Sequence, residues 1–307
     1  HKLEEVFALA DAATALRDGA VTGTVAMQET SSEELCRLMV GRDVVLQVDR
    51  SAPPEGSETI LAVSALTAPS DAGKTAVDAV DLEVRAGEIV GIAGAAGNGQ
   101  AELIEAITGL RQGVTGSISL LSRDLDNLDV EARRRAGLSH VPEDRDSVGL
   151  ALGASLSDNL LMGYESDTPY SRRGVLSSAA VTQHATSVLE DYSVKATTPT
   201  ETADALSGGN RQKLVLGREM QHDARLLIAN QPTRGVDIGA TEQIYELLVA
   251  YRDRGNGVLL VSTDLSEILA LSDRIIVLFE GRVAGEVPAA SATEVSLGML
   301  MTGGGAP

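Results

Sequence analysis

At 307 residues, with 43% apolar residues, the chain is long enough for one large α/β domain plus a smaller piece, and too apolar for wholesale disorder. A formal net charge of −19 argues against nucleic acid as a partner, since an acidic surface repels phosphate backbones, and it disfavours anionic lipid in the same way. No Trp and only Phe7 and Phe279 leave Val, Leu, Ile and Ala to build the core.

The single cysteine, Cys36, cannot form an internal disulfide, which fits a reduced, cytosolic setting. His140, His184 and His222 are far apart in sequence and lack metal-ligand spacing, so structural or surface roles are expected. No apolar run reaches the ~18 residues that a membrane-spanning helix needs. The opening HKLEEV is no signal peptide and has no initiator Met, so the chain reads as a piece of a longer protein.

The first organised segment is one copy of an internal repeat. Residues 1–41 align without a gap to residues 263–303, and 14 of the 41 positions are identical. The matches include Leu3/Leu265, Glu5/Glu267, Asp11/Asp273, Leu16/Leu278, Gly19/Gly281, Val21/Val283, Gly23/Gly285, Leu35/Leu297, Met39/Met301 and Gly41/Gly303. Both segments therefore close the same kind of domain. The first, residues 1–50, reads as a tail without its body. SAPPEGSE, residues 51–58, is Pro-, Gly- and Ser-rich and reads as a linker.

From residue 59 onward a second, complete unit is expected. ILAVSAL and AVDAVDLEV alternate like strands of an antiparallel sheet. EIVGIAG is a short apolar run suited to a buried strand, and AELIEAITGL has helical spacing and stops at Gly109. RLLIAN and GVLLVS predict two more buried strands, while TEQIYELLVAYRDRG and SEILALS predict helices. Strands alternating with helices imply a parallel sheet covered on both faces. Residues of about 147–205 read as a mainly helical, polar lobe.

Between the first buried strand and its helix lies Gly94-Ala95-Ala96-Gly97-Asn98-Gly99-Gln100-Ala101. The spacing of Gly94 and Gly99 fits a P-loop, in which backbone N–H groups and a helix N-terminus cradle phosphates. The pattern next requires Lys and then Ser or Thr. Gln100 carries no charge, and Ala101 offers no hydroxyl to Mg²⁺. Taken alone, the loop could equally be a structural turn before a helix. RLLIANQPTRGVDIGA has the form of the strand that ends in Asp-Glu in P-loop hydrolases, the Asp for Mg²⁺ and the Glu for the attacking water. Asn230 and Gln231 stand there instead, near-isosteric and uncharged. An amide cannot take a proton from water, so general-base catalysis, worth ~10²–10⁴-fold, is expected to be lost. Leu206-Ser207-Gly208-Gly209-Asn210-Arg211-Gln212 precedes a helix. There a hydroxyl and bare amides can face an anion, although a Ser would also serve as an ordinary helix cap.

The order of Gly-rich loop, VPEDR, LSGGNRQ and NQPTRGVDIGA resembles the ATP-binding cassette of ABC transporters. That resemblance spans roughly residues 60–307, preceded by the tail of another cassette. Within the family the chain looks like the second half of the duplicated ATPases that energise simple-sugar and nucleoside importers. GIAGAAGNGQAELIEAITGL and LLIANQPTRG are most similar to the nucleoside branch. The fold so implied is an α/β P-loop cassette: a RecA-like parallel sheet, an antiparallel β subdomain and an α-helical subdomain.

The resemblance also implies roles for single residues. Glu143 stands at the Q-loop glutamine position, Asp237 at the D-loop aspartate, and Thr263 at the switch-histidine position. By the repeat, His1 is the switch histidine of the preceding cassette. No aromatic residue stands at the adenine-stacking position. Cassettes of this family act as head-to-tail pairs, so Ser207, Gly208, Gly209 and Gln212 would contact ATP held by the preceding cassette. The chain's own pocket, with Gly94, Gly97, Asn98, Gly99, Gln100, Ala101 and Glu143, would be non-hydrolytic and hold ATP weakly. Mg²⁺ would belong to the partner site only. Further implied partners are integral membrane permease subunits, docked through the segment from Glu143 to SLSDNLLMG, and, indirectly, a periplasmic or lipoprotein solute-binding protein. The implied location is peripheral, on the cytoplasmic face of the membrane. Two alternatives stay open: a regulatory cassette that binds no nucleotide, and a P-loop NTPase unrelated to transport. The latter would need a phosphate-binding lysine from elsewhere, for which Lys74 and Lys213 are the nearby candidates.

Overall fold

A computed structural model describes residues 3–17, 19–41 and 56–304. His1 and most of the expected 51–58 linker lie outside the described residues. In chain order the elements are α1 (Leu3–Leu9), β1 (Ala12–Arg17), β2 (Ala20–Ala26), α2 (Ser32–Val40), β3 (Thr59–Pro69), β4 (Thr75–Arg85), β5 (Ile89–Ala93) and α3 (Gln100–Thr108). There follow β6 (Thr115–Leu120), β7 (Arg123–Asp124), α4 (Val130–Arg135), β8 (Leu138–Val141), α5 (Leu156–Leu161), β9 (Ser171–Arg172), β10 (Val175–Leu176) and α6 (Ser178–Asp191). The last elements are α7 (Gly208–Met220), β11 (Leu226–Asn230), α8 (Ile238–Asp253), β12 (Gly257–Val261), α9 (Leu265–Leu271), β13 (Arg274–Phe279), β14 (Arg282–Pro288) and α10 (Glu294–Met301).

The central sheet has the order β14-β13-β5-β12-β11-β8, parallel throughout except for β14. Its short apolar strands are buried on both faces, and their alternation divides two cores. Val90, Ile92, Leu226, Ile228, Leu259 and Val261 turn toward the antiparallel sheet β4-β3-β6-β7 and α3. Ile89, Ala93, Leu227, Ala229, Val258 and Leu260 turn to the opposite core, which includes residues of α5 to α10. The antiparallel pairing of ILAVSAL with AVDAVDLEV is present as β3 and β4. The span 147–205 contains helices α5 and α6, but also the small β9–β10 hairpin.

One buried acid ties α7 to the sheet. Glu219 accepts from Arg218 at 2.8 Å and from Arg134 at 2.9 Å, and the His140 N–H lies 3.4 Å from it. Burial alone would raise the Glu219 pKa, yet the two guanidinium groups outweigh it and hold the carboxyl below its ordinary value.

The repeat is structural as well as sequential. With the offset of 262 residues, α1, β1, β2 and α2 correspond to α9, β13, β14 and α10. The hairpin registers match, Ala12 opposite Ala26 and Arg274 opposite Pro288, and both carry a bulge at the same step, Ala15/Leu16 and Val277/Leu278. Gly23 and Gly285 each leave room for a leucine of the following helix, Leu38 and Leu300. The copies differ in their neighbours. β13 pairs with β5 as well as β14, which buries Leu278 to 1% exposure; among the described residues β1 pairs with β2 alone, and Leu16 is 65% exposed.

Candidate functional site

Four loops leave the C-terminal edge of the parallel sheet, where α/β folds gather their ligands. They are the Gly-rich loop after β5, the VPEDR segment after β8, the Gln231 turn after β11 and the Thr263 turn after β12. Three of them, with Ala96, Glu143, Gln231, Thr233, Arg234, Thr263 and Tyr245 among the lining residues, border a cleft of about 790 Å³ that the edge of the Gly-rich loop also reaches.

The Gly-rich loop keeps the backbone of a phosphate cradle. Gly99 is the N-terminal cap of α3 with φ +97°, and a Cβ there would lie 2.4 Å from the Ala76 carbonyl, so only glycine fits. Among the described residues no acceptor takes the N–H of Gly97, Gly99, Gln100 or Ala101. The side chains, however, are spent on the loop itself. Gln100 Nε2 donates to the Ala95 carbonyl at 3.0 Å, and a Cβ on Gly94 would sit 2.3 Å from that nitrogen. Asn98 Nδ2 donates to the same carbonyl at 3.0 Å, while its Oδ1 accepts the Glu280 N–H at 2.7 Å. Asn98 therefore fastens the loop to the β13–β14 turn.

At the end of β11, Gln231 adopts φ +52°, and its N–H reaches the Val261 carbonyl at 2.7 Å. Its side chain meets Thr263, Nε2 to Oγ1 at 3.2 Å. Glu143 pairs with Arg234, and Arg145 donates to the Arg234 carbonyl at 2.6 Å and the Gly235 carbonyl at 3.2 Å. Thr233 donates to Glu267 at 2.7 Å. Glu267 is buried on α9, and desolvation raises its pKa to about 7 despite the Ser262 and Thr233 hydroxyls. These partners of Glu143 and Thr233 were not expected from sequence. The one available signal for Glu267 was its identity with Glu5 across the repeat.

A second cavity, about 630 Å³, joins Ser207, Gly209, Asn210 and Asp237 to Leu16, Arg17, Met39 and Val40 of the repeat's first copy. Asp237 caps α8 through the Ala240 N–H at 2.9 Å. A Cβ on Gly209 would lie 2.8 Å from that of Ala240, so the glycine permits α7 and α8 to approach. Ser207 is exposed and occupies the N-cap position of α7, but makes no capping hydrogen bond. Ser31, Ser155 and Ser177 do accept the usual backbone N–H at their own helices. The N–H groups of Gly208, Gly209 and Asn210 likewise find no acceptor among the described residues. The ordinary-cap alternative for Ser207 thus fails, and the α7 N-terminus presents a hydroxyl and three bare amides, a set suited to an anion.

Gln212 departs from expectation. It is 2% exposed, turned into the protein with Nε2 unpartnered, and does not reach this surface. From Gln212 to Met220 every residue of α7 is buried, so this side chain lies within the helix's packed stretch and not at its exposed N-terminus. Lys213, one of the two candidate lysines, does not serve the Gly-rich loop. Lys213 is buried and donates to the Ser193 carbonyl and, at 3.2 Å, to Gln243, and Lys74 is exposed in the β3–β4 connection.

Residues 77–234 match the sequence profile of the family described as ABC transporter. The chain is 43% identical to a guanosine import ATP-binding protein, NupO, of Bacillus subtilis (strain 168), over 96% of this chain and 58% of that protein. It is 44% identical to a glucose import ATP-binding protein, TsgD13, of Haloferax volcanii, over 99% of this chain and 56% of that protein. The chain thus spans little more than half the length of these relatives. Among solved structures, the ATP-binding cassette MJ1267 superimposes with a TM-score of 0.68 at 20% identity, covering 80% of this chain and 98% of that one. The ADP- and phosphate-bound dimeric cassette MJ0796 gives 0.64 at 21% identity, over 75% and 99%. The fold is that of an ATP-binding cassette.

Proposed function

The chain belongs to the ABC transporter family, and from that membership we propose that it is the second ATP-binding cassette of a duplicated ATPase that energises import of a simple sugar or nucleoside. Relatives named for guanosine, glucose, nucleoside and ribose import support the cargo class. Residues 1–50 are then the tail of the first cassette. The shared hairpin register and bulge of the two copies support this assignment.

The observation that carries the proposal is the contrast between two surfaces of one domain. The α7 N-terminus keeps an uncapped Ser207 beside Asp237. On the chain's own side, the Gly-rich loop and the ends of β11 and β12 carry the neutral residues Gln100, Ala101, Asn230, Gln231 and Thr263, of which Gln231 and Thr263 line the cleft. Ser207, Gly208 and Gly209 complete the ATP and Mg²⁺ site of the preceding cassette, where donors aimed at the γ-phosphate stabilise developing charge. The chain's own pocket binds ATP weakly through the loop amides and does not hydrolyse it. Permease subunits dock on the segment from Glu143 to Gly163, and the solute-binding protein acts through them. The assembly sits peripherally on the cytoplasmic face, with no helix among the described residues long and apolar enough to cross a membrane.

A second reading, a regulatory cassette without nucleotide, is favoured by one contact: Gln100 folded onto the Ala95 carbonyl inside the loop. Titration of the chain with ATP separates the two. Hydrolysis by the full-length protein tests the main reading: it survives loss of Gln231 and is abolished by blocking Ser207.

A further inference from the structure

We propose that Asn210 is a positioning residue that fixes the direction of the Ser207 hydroxyl proton, and so keeps that hydroxyl a donor toward the phosphate of the facing nucleotide. This rests on the reading that Ser207 serves the preceding cassette's ATP.

The argument starts from the polarity of a carboxamide. The Lys195 backbone N–H lies 2.9 Å from Asn210 Oδ1, and an N–H can only donate. That contact orients the amide, so Oδ1 faces Lys195 and Nδ2 faces the other way. Nδ2 lies 3.0 Å from Ser207 Oγ, and an NH₂ group likewise can only donate. The hydroxyl is therefore held as an acceptor on the Asn210 side. Its single proton must point elsewhere, and Ser207 is exposed on the cavity that also holds Gly209 and Asp237.

The same arrangement explains why Ser207 is no helix cap. An oxygen accepting from Asn210 Nδ2 is drawn away from the backbone amides of Gly209 and Asn210, which stay bare. An ionised phosphate oxygen near pH 7 accepts and does not donate. It needs O–H and N–H groups turned toward it, and here all the bare groups of the α7 N-terminus are donors. An aspartate at 210 would be nearly isosteric and would keep the Lys195 contact. It would have no donor for Ser207, so the hydroxyl proton would turn into the carboxylate and away from the nucleotide.

The test is steady-state ATP hydrolysis by the full-length protein carrying Ser207→Ala, Asn210→Ala, Asn210→Asp and the Ser207→Ala/Asn210→Ala pair, with unfolding midpoints measured alongside. The expected result is a kcat about tenfold or more lower for Ser207→Ala, the cost of one donor to a charged group. Asn210→Ala is expected to lower kcat severalfold, with KM within about twofold of wild type, and the pair to be no slower than Ser207→Ala alone. Asn210→Asp should lower kcat at least as much as Asn210→Ala, without loss of the unfolding midpoint. If the Ser207→Ala and Asn210→Ala losses multiply in the pair, Asn210 does not act through Ser207 and the inference is wrong. Unchanged hydrolysis in Ser207→Ala would remove the trans-site reading, and the inference with it.

Discussion

Gln231 and Thr263, 32 residues apart, are hydrogen-bonded to each other, Gln231 Nε2 donating to Thr263 Oγ1 at 3.2 Å. On the proposed reading these are the positions of the general base and of the switch histidine, and here both carry neutral side chains bonded to each other. Neither has a proton-accepting group for an attacking water. The isolated chain is expected to show no ATP hydrolysis above background at any Mg²⁺ concentration. Gln231→Glu alone should not restore it, because Gln100, Ala101 and Asn230 still supply neither charge nor metal ligand. Phosphate release that scales with protein and vanishes in Gly99→Asp would show that the cleft is catalytic.

Affinity for nucleotide follows from what the Gly-rich loop retains. Its bare amides remain, but the charge is missing, and Gln100 is turned onto the Ala95 carbonyl. A hydrogen bond to a charged group is worth ~1.5–3 kcal/mol, so Gln100→Lys should tighten ATP binding by roughly ten- to a hundredfold. Calorimetry on the two proteins checks this. Submicromolar, Mg²⁺-dependent binding by the unaltered chain would contradict the neutral-pocket account.

Glu267 predicts a pH dependence of stability. Its pKa is raised from 4.5 to about 7 by burial, so the folded state holds a proton that the unfolded state releases. That contribution is full below pH 4.5 and is lost as pH rises through 7. Glu267→Gln stays neutral and can still accept from Thr233. It should therefore match wild type near pH 4.5 and exceed it at pH 8, by up to about 3 kcal/mol. His140 and His222 act in the opposite sense. Burial lowers both to about 4 from 6.5, so their contribution is lost as pH falls from 6.5 toward 4. They are common to both proteins and cancel in the comparison. Denaturant unfolding at pH 4.5 and 8 decides it, and a Glu267→Gln variant weaker than wild type at pH 8 would refute the buried-acid account.

Ser207 can be tested on the isolated chain by its stability. A true capping serine is worth ~1 kcal/mol against alanine. Ser155 and Ser177 accept backbone N–H groups at 3.0 and 3.3 Å, and Ser207 accepts none. Ser155→Ala and Ser177→Ala should each cost about 1 kcal/mol, and Ser207→Ala less than about 0.5 kcal/mol. Equal costs would return Ser207 to a capping role.

The strands and the repeat were legible because their signals are local. Apolar runs such as EIVGIAG and RLLIAN announce β5 and β11, and turn glycines at 19 and 281 mark the same hairpin twice. What was not legible depends on direction. Gln100 could have faced the pocket; it faces Ala95 because the loop carbonyl is an acceptor within reach. Gln212 belongs to the LSGGNRQ string, yet it opens the stretch of α7 in which every residue is buried. Asn210, one helical position past Gly209, gains its role only because Lys195, in another segment, supplies the N–H that orients its amide. Glu267 was visible as a repeat identity, but its burial against Thr233 needed the packing of α9.

Opposite outcomes from two substitutions in one cassette separate the transport reading from its rivals. In the full-length protein, Ser207→Arg should abolish hydrolysis, because a bulky cation fills the α7 N-terminus where the facing γ-phosphate is to be held. Gly208→Asp is a less clean probe, since a Cβ there would lie 2.9 Å from Arg145 Nη2, and the new carboxylate could pair with that guanidinium. Gln231→Ala should leave hydrolysis nearly intact, since it removes only the contact to Thr263. Both proteins keep the buried core, so lost stability cannot produce opposite results if their unfolding midpoints agree. Equal loss in both would make this cleft catalytic. Full activity in Ser207→Arg would leave the bare amides of α7 without a ligand and end the paired-cassette account.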